Sequence, residues 1–347
     1  MRTARGIRVL AVVGTLALAS TGLVACGGSE TPNTTPTKTQ VKVGLAYDIG
    51  GRGDKSFNDA AAAGIEQAKE TLDITVKELP ATLNEPEADK ETRLQSLCDE
   101  GYNPIIAVGF AYATALKAVS ENCPQAKFAI VDDQSVTADN VTSLVFAEEE
   151  GSYLVGVVAA LKTETNTVGF VGGCDVPLIH KFEAGYTAGA KAARSDITVK
   201  TNYLSTVAQN CSGFNDPANG KIAAEGLYDA GADIVYQAAG GSGTGVFQAA
   251  VEKGKLAIGV DSDQYNTVDA ALKDVIITSM LKRVDVAVFN FIKDFADGNF
   301  QAGVEVFDLE RDGVGYSTSG GKIDDIKAQV EDYKSKIVAG TITVPSA

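Results

Sequence analysis

Strand-length apolar runs alternate with segments of helical period through almost the whole chain beyond residue 40, and this alternation limits the possible folds more than any other feature. We predict ten strands, at 41–47, 73–79, 104–110, 127–132, 167–173, 198–205, 233–239, 256–261, 275–280 and 303–309. Predicted helices between them include 58–72, 149–162, 182–195 and 284–296. The pattern is typical of βαβ units in a parallel sheet. Because ten strands are too many for one compact sheet, we predict two doubly wound α/β lobes.

Two short motifs occur once in each predicted lobe. "SFND" at Ser56–Asp59 returns as "GFND" at Gly213–Asp216, and "KFAIVD" at 127–132 returns as "KLAIGVD" at 255–261. In open α/β sheets, ligands bind beyond the carboxyl ends of strands, where helices begin. We therefore expect the motifs' side chains to face one cleft: Phe57, Phe214, Asp132 and Asp261. For a single copy, helix capping by Asn or Asp, together with the common occurrence of Asp at strand ends in this fold, is the better explanation. The paired repeat favours a cleft.

The stretch "GGRGDKSFND" at 50–59 is similar to a phosphate-binding loop, because glycines and a Lys-Ser pair precede a predicted helix. That loop needs a glycine before the lysine, whereas Asp54 stands there and its charge would repel a phosphate. Another glycine cluster, 240–245, is similar to the Gly-x-Gly-x-x-Gly fingerprint of dinucleotide-binding proteins. That fingerprint would need a third glycine at position 246, where the chain has Val246. The cluster is either a tight turn or a place where backbone approaches a ligand closely.

The first 40 residues predict export and lipid anchoring. Three arginines precede an apolar stretch at 9–25, which ends in the lipobox "LVAC". This stretch is too short and too weakly apolar for a membrane-spanning helix. We predict a lipoprotein signal peptide at 1–25, a lipid on Cys26, a flexible tether at 26–40, and a position on the extracytoplasmic face of the cell membrane.

Length and charge set the domain count and exclude one class of partner. The predicted mature chain has 347 − 25 = 322 residues, enough for two domains. We assign 41–146 plus 263–302 to an N-terminal lobe, and 147–262 plus 303–347 to a C-terminal lobe. A formal net charge of −15 argues against a nucleic-acid partner, since such proteins need a basic face.

Four cysteines follow Cys26, and an even number outside the cytoplasm indicates two disulfides. From their positions at the ends of predicted helices and strands, we predict the pairs Cys98–Cys123 and Cys174–Cys211. No two cysteines have zinc-ligand spacing, and the chain has one histidine, so we predict no metal site.

Catalysis by a nucleophile is poorly supported. A serine or cysteine triad would have to use His180, and no Gly-x-Ser-x-Gly elbow is present. Acid pairs such as Asp132 with Asp133, or Asp261 with Asp263, could serve a glycosidase or hold a cation. Carboxylates opposite a stacked base more naturally accept hydrogen bonds from ribose hydroxyls, which indicates a binding site.

The chain resembles the basic membrane protein family, the substrate-binding lipoproteins of ABC importers that include purine nucleoside receptors. The similarity covers nearly the whole mature body and includes "VGLAYDIGGRGDKSFNDAAAAGIEQA", "FAEEEGSYLVGVVAALKT", "GADIVYQAAGGSGTGVFQAA", "IGVDSDQ" and "SMLKRVDVAV". It implies the type I periplasmic-binding-protein fold, in which a three-segment hinge joins two doubly wound lobes.

The resemblance also implies a ligand set. Two aromatic rings, one per lobe, would sandwich a purine, with polar groups for the base, acceptors for the ribose, a backbone contact and a lysine beside them. The matching positions are Phe57, Phe214, Asp48, Asn58, Asp132, Asp261, Gly240 and Lys282. Cys174 and Cys211 depart from the family pattern near the cleft.

The function implied is that of a receptor, expected to be a monomer, which binds a purine nucleoside, delivers it to a membrane permease and needs no cofactor. Two alternatives stay open. One is the same fold binding a free sugar or another small metabolite, and the other is an extracellular hydrolase that acts on nucleosides.

Overall fold

The computed structural model describes residues 40–346. The predicted signal peptide, Cys26 and most of the tether lie outside the described residues. None of the helices between residues 40 and 346 has the length and apolar character of a membrane-spanning segment.

The strands of the described chain form two six-stranded sheets. In chain order they are β1 Val41–Ala46, β2 Ile74–Leu79, β3 Ile105–Ala107, β4 Phe128–Val131, β5 Val141–Phe146, β6 Thr167–Gly172, β7 Thr198–Tyr203, β8 Ile234–Ala238, β9 Leu256–Asp261, β10 Ile276–Lys282, β11 Gly303–Phe307 and β12 Val314–Tyr316. The first sheet has the order β11-β5-β4-β3-β1-β2 and the second has β12-β10-β9-β8-β6-β7. Neighbouring strands are parallel except β10 and β12. Each sheet with its helices forms one lobe.

Helices connect most of the strands and cover both sheets. They are α1 Phe57–Thr71, α2 Glu87–Asp99, α3 Ala113–Asn122, α4 Glu148–Lys162, α5 Pro177–Ala193, α6 Pro217–Asp229, α7 Gly243–Lys253, α8 Gln264–Thr267, α9 Ala270–Lys273, α10 Val284–Ala296 and α11 Lys327–Val338. The central strands β3, β4 and β8 are buried along their whole length, as strands covered on both faces must be. The predicted two-lobed α/β fold is confirmed.

All ten predicted strands are present, but the prediction missed two. β5 follows β4 without an intervening helix, so the search for alternating strands and helices did not separate it. β12 has three residues, too few for a recognisable apolar run.

The predicted lobe boundaries are wrong at two strands. β10 lies in segment 263–302, assigned to the N-terminal lobe, yet it pairs with β9 in the second sheet. β11 lies in segment 303–347, assigned to the C-terminal lobe, yet it pairs with β5 in the first sheet. The cause is that α10 packs against α1 of the first lobe, so the chain crosses between lobes on either side of it. The three crossings lie at 146–148, 282–284 and 307–314.

In the second lobe, the backbones of α4 and α5 pack closely together next to the hinge. A side chain at Gly156 would collide with the carbonyl of Tyr186, and one at Gly185 would collide with the carbonyl of Glu149. Glycine therefore lets the two helix backbones approach closely. This packing holds the first turn of α4 in place, and that turn carries Glu148.

Both predicted disulfides are present. Cys98 and Cys123 are joined at the ends of α2 and α3, with an S–S distance of 2.08 Å. Cys174 and Cys211 are joined at 2.10 Å beside the carboxyl end of β6. Each bridge lies within one lobe and does not restrain movement between the lobes.

Candidate functional site

A cavity lies where the carboxyl ends of strands from both sheets face each other. Its empty space is about 550 Å³, including the part open to solvent. All eight residues predicted to bind ligand line it: Asp48, Phe57, Asn58, Asp132, Phe214, Gly240, Asp261 and Lys282. The structure thus brings the predicted set together at the position where open α/β sheets bind ligands.

Asp54 explains why the glycine-rich stretch differs from a phosphate loop. Its buried carboxylate accepts hydrogen bonds from the backbone N–H groups of Ser56, Asn58 and Asp59, at 2.9, 2.8 and 3.0 Å. These are the free donors at the start of α1, which a phosphate would otherwise use. The chain therefore supplies its own anion at this helix terminus.

The same carboxylate positions two predicted ligand residues. Asp54 also accepts a hydrogen bond from the Asn58 side-chain amide at 3.0 Å, and the Asn58 oxygen accepts one from the backbone of Asp48, likewise at 3.0 Å. Asp48 itself lies against Gly109, where any Cβ would collide with the carboxylate. Phe57, the first residue of α1, is held between these anchored neighbours.

Asp132 and Asp261 occupy equivalent positions in the two lobes. Asp132 directly follows β4, and Asp261 is the last residue of β9. Both have a left-handed backbone, with φ of 67° and 62°. Aspartate tolerates this conformation better than most residues, but such backbone still indicates a constraint and clusters at functional sites. Asp261 accepts a hydrogen bond from Ser56 of the other lobe at 2.5 Å. One oxygen of Asp132, Oδ1, is buried without a hydrogen-bond partner.

Lys282 is the positive charge that faces these acids. It is 2% exposed, and its Nζ lies 2.5 Å from Asp132 Oδ2 and 3.2 Å from Glu148 Oε1. Its Nζ is also 5.1 Å from the ring centroid of Phe57 and 5.5 Å from that of Phe182, within cation–π range. Lys282 and Glu148 lie at two of the three crossings, so their ion pair links two of the three hinge segments.

Burial and neighbouring charge perturb the titration of this cluster. Burial alone would lower the pKa of Lys282, but the charges of Asp132, Glu148 and Asp261 raise it well above its ordinary value. Burial raises the pKa of Asp132, with Glu148 and Asp261 adding to the rise and Lys282 opposing it. Burial likewise raises the pKa of Asp48 to about 6. Lys282 therefore stays charged at neutral pH.

The second disulfide shapes the turn that carries Phe214. Cys211 has a left-handed backbone with φ of 50°, and its carbonyl accepts a hydrogen bond from the N–H of Phe214 at 3.1 Å. A side chain at Gly173 would collide with the Phe214 ring. The bridge to Cys174 therefore fixes this turn against the end of β6, so the two cysteines support the cleft.

Glu148 and Phe182 are among the residues at the site that the sequence analysis did not predict. Glu148 is 1% exposed and binds Lys181 at 3.0 Å as well as Lys282. It belongs to an acidic first turn, Glu148–Glu150, which stabilises a helix start in any protein and does not by itself indicate a site. Phe182 lines the cavity from α5, and nothing in the sequence distinguishes it from a core phenylalanine.

The lining chemistry suits binding through stacking and hydrogen bonds. The described residues that line the cavity include no serine, cysteine or histidine. His180 is 39% exposed and pairs with Asp175 at 2.7 Å. The cavity instead offers half-buried rings from both lobes and four aspartate side chains, which accept hydrogen bonds when ionised.

Comparisons with known proteins agree with this geometry. Residues 40–347 match the model of the Bmp family, described as ABC transporter substrate-binding protein PnrA-like. The chain is 36% identical over 342 residues to a CD4+ T-cell-stimulating antigen of Listeria innocua, covering 93% of this chain and 94% of that protein. It is also 36% identical over 356 residues to the ABC transporter nucleoside-binding protein BmpA of Lactococcus lactis, covering 98% and 99%.

A solved structure shows the same architecture. A solute-binding protein of an ABC transporter system from Aeropyrum pernix superposes with a TM-score of 0.77 at 30% identity, covering 88% of this chain and 94% of that one. The type I periplasmic-binding-protein fold implied by the sequence resemblance is thereby confirmed. The chain belongs to the PnrA-like family of ABC transporter substrate-binding proteins.

Proposed function

We propose that this protein closes its two lobes around a purine nucleoside and delivers it to the permease of an ABC importer. The observation that carries the proposal is the pair of half-buried phenylalanines, Phe57 and Phe214, which line one cavity from opposite lobes. A planar base fits between two such rings, and stacking on each contributes on the order of 1 to 3 kcal/mol.

The polar groups favour a ribose beside that base. Asp132 and Asp261 line the cavity from opposite lobes, and the unpartnered Oδ1 of Asp132 is a free acceptor for a hydroxyl. A buried acceptor without a partner costs free energy, which a ligand hydroxyl would recover. A free sugar could use these acceptors too, but it would leave the two phenylalanine faces largely unused.

Delivery requires closure to be coupled to binding. The three crossings at 146–148, 282–284 and 307–314 form a hinge, and the ligand would contact both lobes only when they are closed. Binding then shifts the population toward the closed form, which the permease would recognise. We further propose that the protein acts as a monomer, held at the extracytoplasmic face of the membrane through a lipid on Cys26, and breaks no bond in its ligand.

Calorimetric titration of three variants tests the purine sandwich. Phe57→Ala and Phe214→Ala should each weaken guanosine and adenosine binding by roughly 1 to 3 kcal/mol, because each removes one stacking face. Lys55→Ala is the matched control, because a phosphate loop would depend on that charge and a nucleoside site does not. Nucleoside monophosphates that bind more tightly than nucleosides, with a silent Phe214→Ala, would exclude the proposal.

Two further measurements address the alternative functions. Incubation with guanosine or adenosine followed by chromatography should show no released base, whereas a hydrolase would release it. Mass spectrometry of ligand extracted from purified, unfolded protein should identify a nucleoside. A sugar in that extract would favour the alternative ligand.

A further inference from the structure

Outside the cavity, the two lobes meet where main-chain carbonyls of the first lobe receive side-chain hydrogen bonds from the second. The carbonyl of Ser56 accepts from Ser262 Oγ at 3.1 Å. The carbonyl of Lys55 accepts from Gln264 Nε2 at 2.9 Å and from Thr267 Oγ1 at 3.4 Å. We call these three hydrogen bonds the closure contact. None of its three donor residues lines the cavity.

On the second lobe, the main donor is fixed before the lobes meet. Gln264 is 1% exposed, and its Oε1 accepts hydrogen bonds from Gln237 Nε2 at 2.8 Å and from the backbone of Val260 at 2.9 Å. Its backbone N–H donates to Ser279 at 3.1 Å. Nε2 is therefore aimed at the other lobe by contacts inside its own lobe, so little conformational entropy is lost when the hydrogen bond forms.

On the first lobe, the accepting carbonyls are also fixed. Lys55 has a left-handed backbone with φ of 59°, an uncommon conformation for a residue of this type. Asp59 holds it there, because its carboxylate accepts from the N–H of Lys55 at 3.0 Å and from that of Gly53 at 2.7 Å. Unusual backbone persists where surrounding contacts determine it. Here it presents the carbonyls to the second lobe.

We propose that Ser262, Gln264 and Thr267 are positioning residues that stabilise the closed form for every ligand equally, without touching any ligand. Each donor and its carbonyl lie on different lobes, so opening the hinge breaks all three hydrogen bonds while leaving each lobe intact. The apparent dissociation constant is the intrinsic one divided by the fraction of closed protein. Losing a closure hydrogen bond therefore weakens all ligands by one common factor, about two- to ten-fold.

Ser262→Ala and Thr267→Val, singly and together, test this proposal in the full-length chain. They remove a donor without disturbing the hydrogen bonds of Gln264 inside its lobe. Calorimetry should give weaker binding of guanosine and adenosine by the same factor, with their affinity ratio unchanged. Matched controls are Ser96→Ala and Thr92→Val, whose hydroxyls donate within α2 at 2.8 Å in both cases. The controls should bind as the unmodified chain does.

A second readout needs no ligand, so it separates this proposal from the proposed function on which the calorimetric test rests. Spin labels at Leu83→Cys in the first lobe and Ile222→Cys in the second occupy exposed positions, 48% and 66% accessible. In the Ser262→Ala and Thr267→Val double variant, the distance distribution between labels should shift toward the open form. An unchanged distribution, or an affinity ratio that changes with the ligand, would overturn the proposal. If the unmodified chain binds neither nucleoside, the proposed function is wrong. The distance measurement still tests whether the closure contact stabilises the closed form.

Discussion

Replacing Lys282 with methionine tests the electrostatic account of the cleft most directly. Methionine keeps much of the side-chain volume and removes the charge, which lies 2.5 Å from Asp132 Oδ2 and 3.2 Å from Glu148 Oε1. Removing one partner of a buried ion pair costs about 3 to 5 kcal/mol, because the other charge is left buried without compensation. We expect Lys282→Met to lower the free energy of unfolding by that amount at pH 8.

The loss of stability caused by Lys282→Met should also change with pH in a definite direction. The pKa of Lys282 is raised above its ordinary value of 10.5, so the stabilisation it provides is complete throughout pH 5 to 8. In the variant, Asp132 loses the cation that opposes its raised pKa, so that pKa rises further. A carboxylate whose pKa is higher in the folded state than in the unfolded state stabilises the protein as pH falls. The gain is about 1.4 kcal/mol per pH unit in the range where the folded state has bound the proton and the unfolded state has not. Asp132 of the unmodified protein gains stability in the same way, but over a narrower pH range because its pKa is raised less. The deficit of the variant should therefore shrink between pH 8 and pH 5.

Urea unfolding followed by circular dichroism at pH 8, 6.5 and 5 measures both effects. Lys253→Met is the matched control, because Lys253 pairs with Asp229 at 2.6 Å on the exposed surface. Exposed pairs contribute little, so the control should be indistinguishable from the unmodified protein at each pH. A loss below 1 kcal/mol at pH 8, or a deficit that grows on acidification, would refute the reasoning.

Two further predictions concern the lipid anchor and the binding of the purine base. Cys26→Ser should leave an unprocessed precursor that no longer partitions into detergent, and cleavage before residue 26 in this variant would contradict the lipid anchor. Burial raises the pKa of Asp48 to about 6, so if its carboxylate accepts from a purine N–H, guanosine affinity should fall between pH 7 and pH 5. Asp48→Asn should remove this pH dependence in calorimetric titrations, and its persistence would assign the dependence to another group.

The cleft was predictable because its residues lie in short local motifs. The strand that precedes Asp132 and the one that ends at Asp261 carry similar sequences, and so do the segments around Phe57 and Phe214, which lie at or just before a helix. Such motifs record which side chains follow a strand or begin a helix, and the α/β topology then brings those ends together. Two copies in one chain predicted two lobes facing one cavity.

Sheet membership was less predictable because it depends on pairing between distant segments. β10 and β11 have strand patterns, but nothing local to either shows which sheet each joins. Glu148 was missed for a related reason. Its partner Lys282 lies 134 residues away, 282 − 148, and the two meet only because two crossings run side by side at the hinge.

Asp54 connects the local sequence to the choice of ligand. At a helix start preceded by glycines, free N–H groups and the helix dipole would favour an anion. Here the Asp54 carboxylate takes those N–H groups, so the helix no longer offers a phosphate site. Three more aspartates line the same cavity against one lysine, which already pairs with two acids. A phosphorylated ligand would meet uncompensated negative charge, whereas a neutral ligand that carries N–H and O–H donors would find carboxylate acceptors, among them the unpartnered Oδ1 of Asp132.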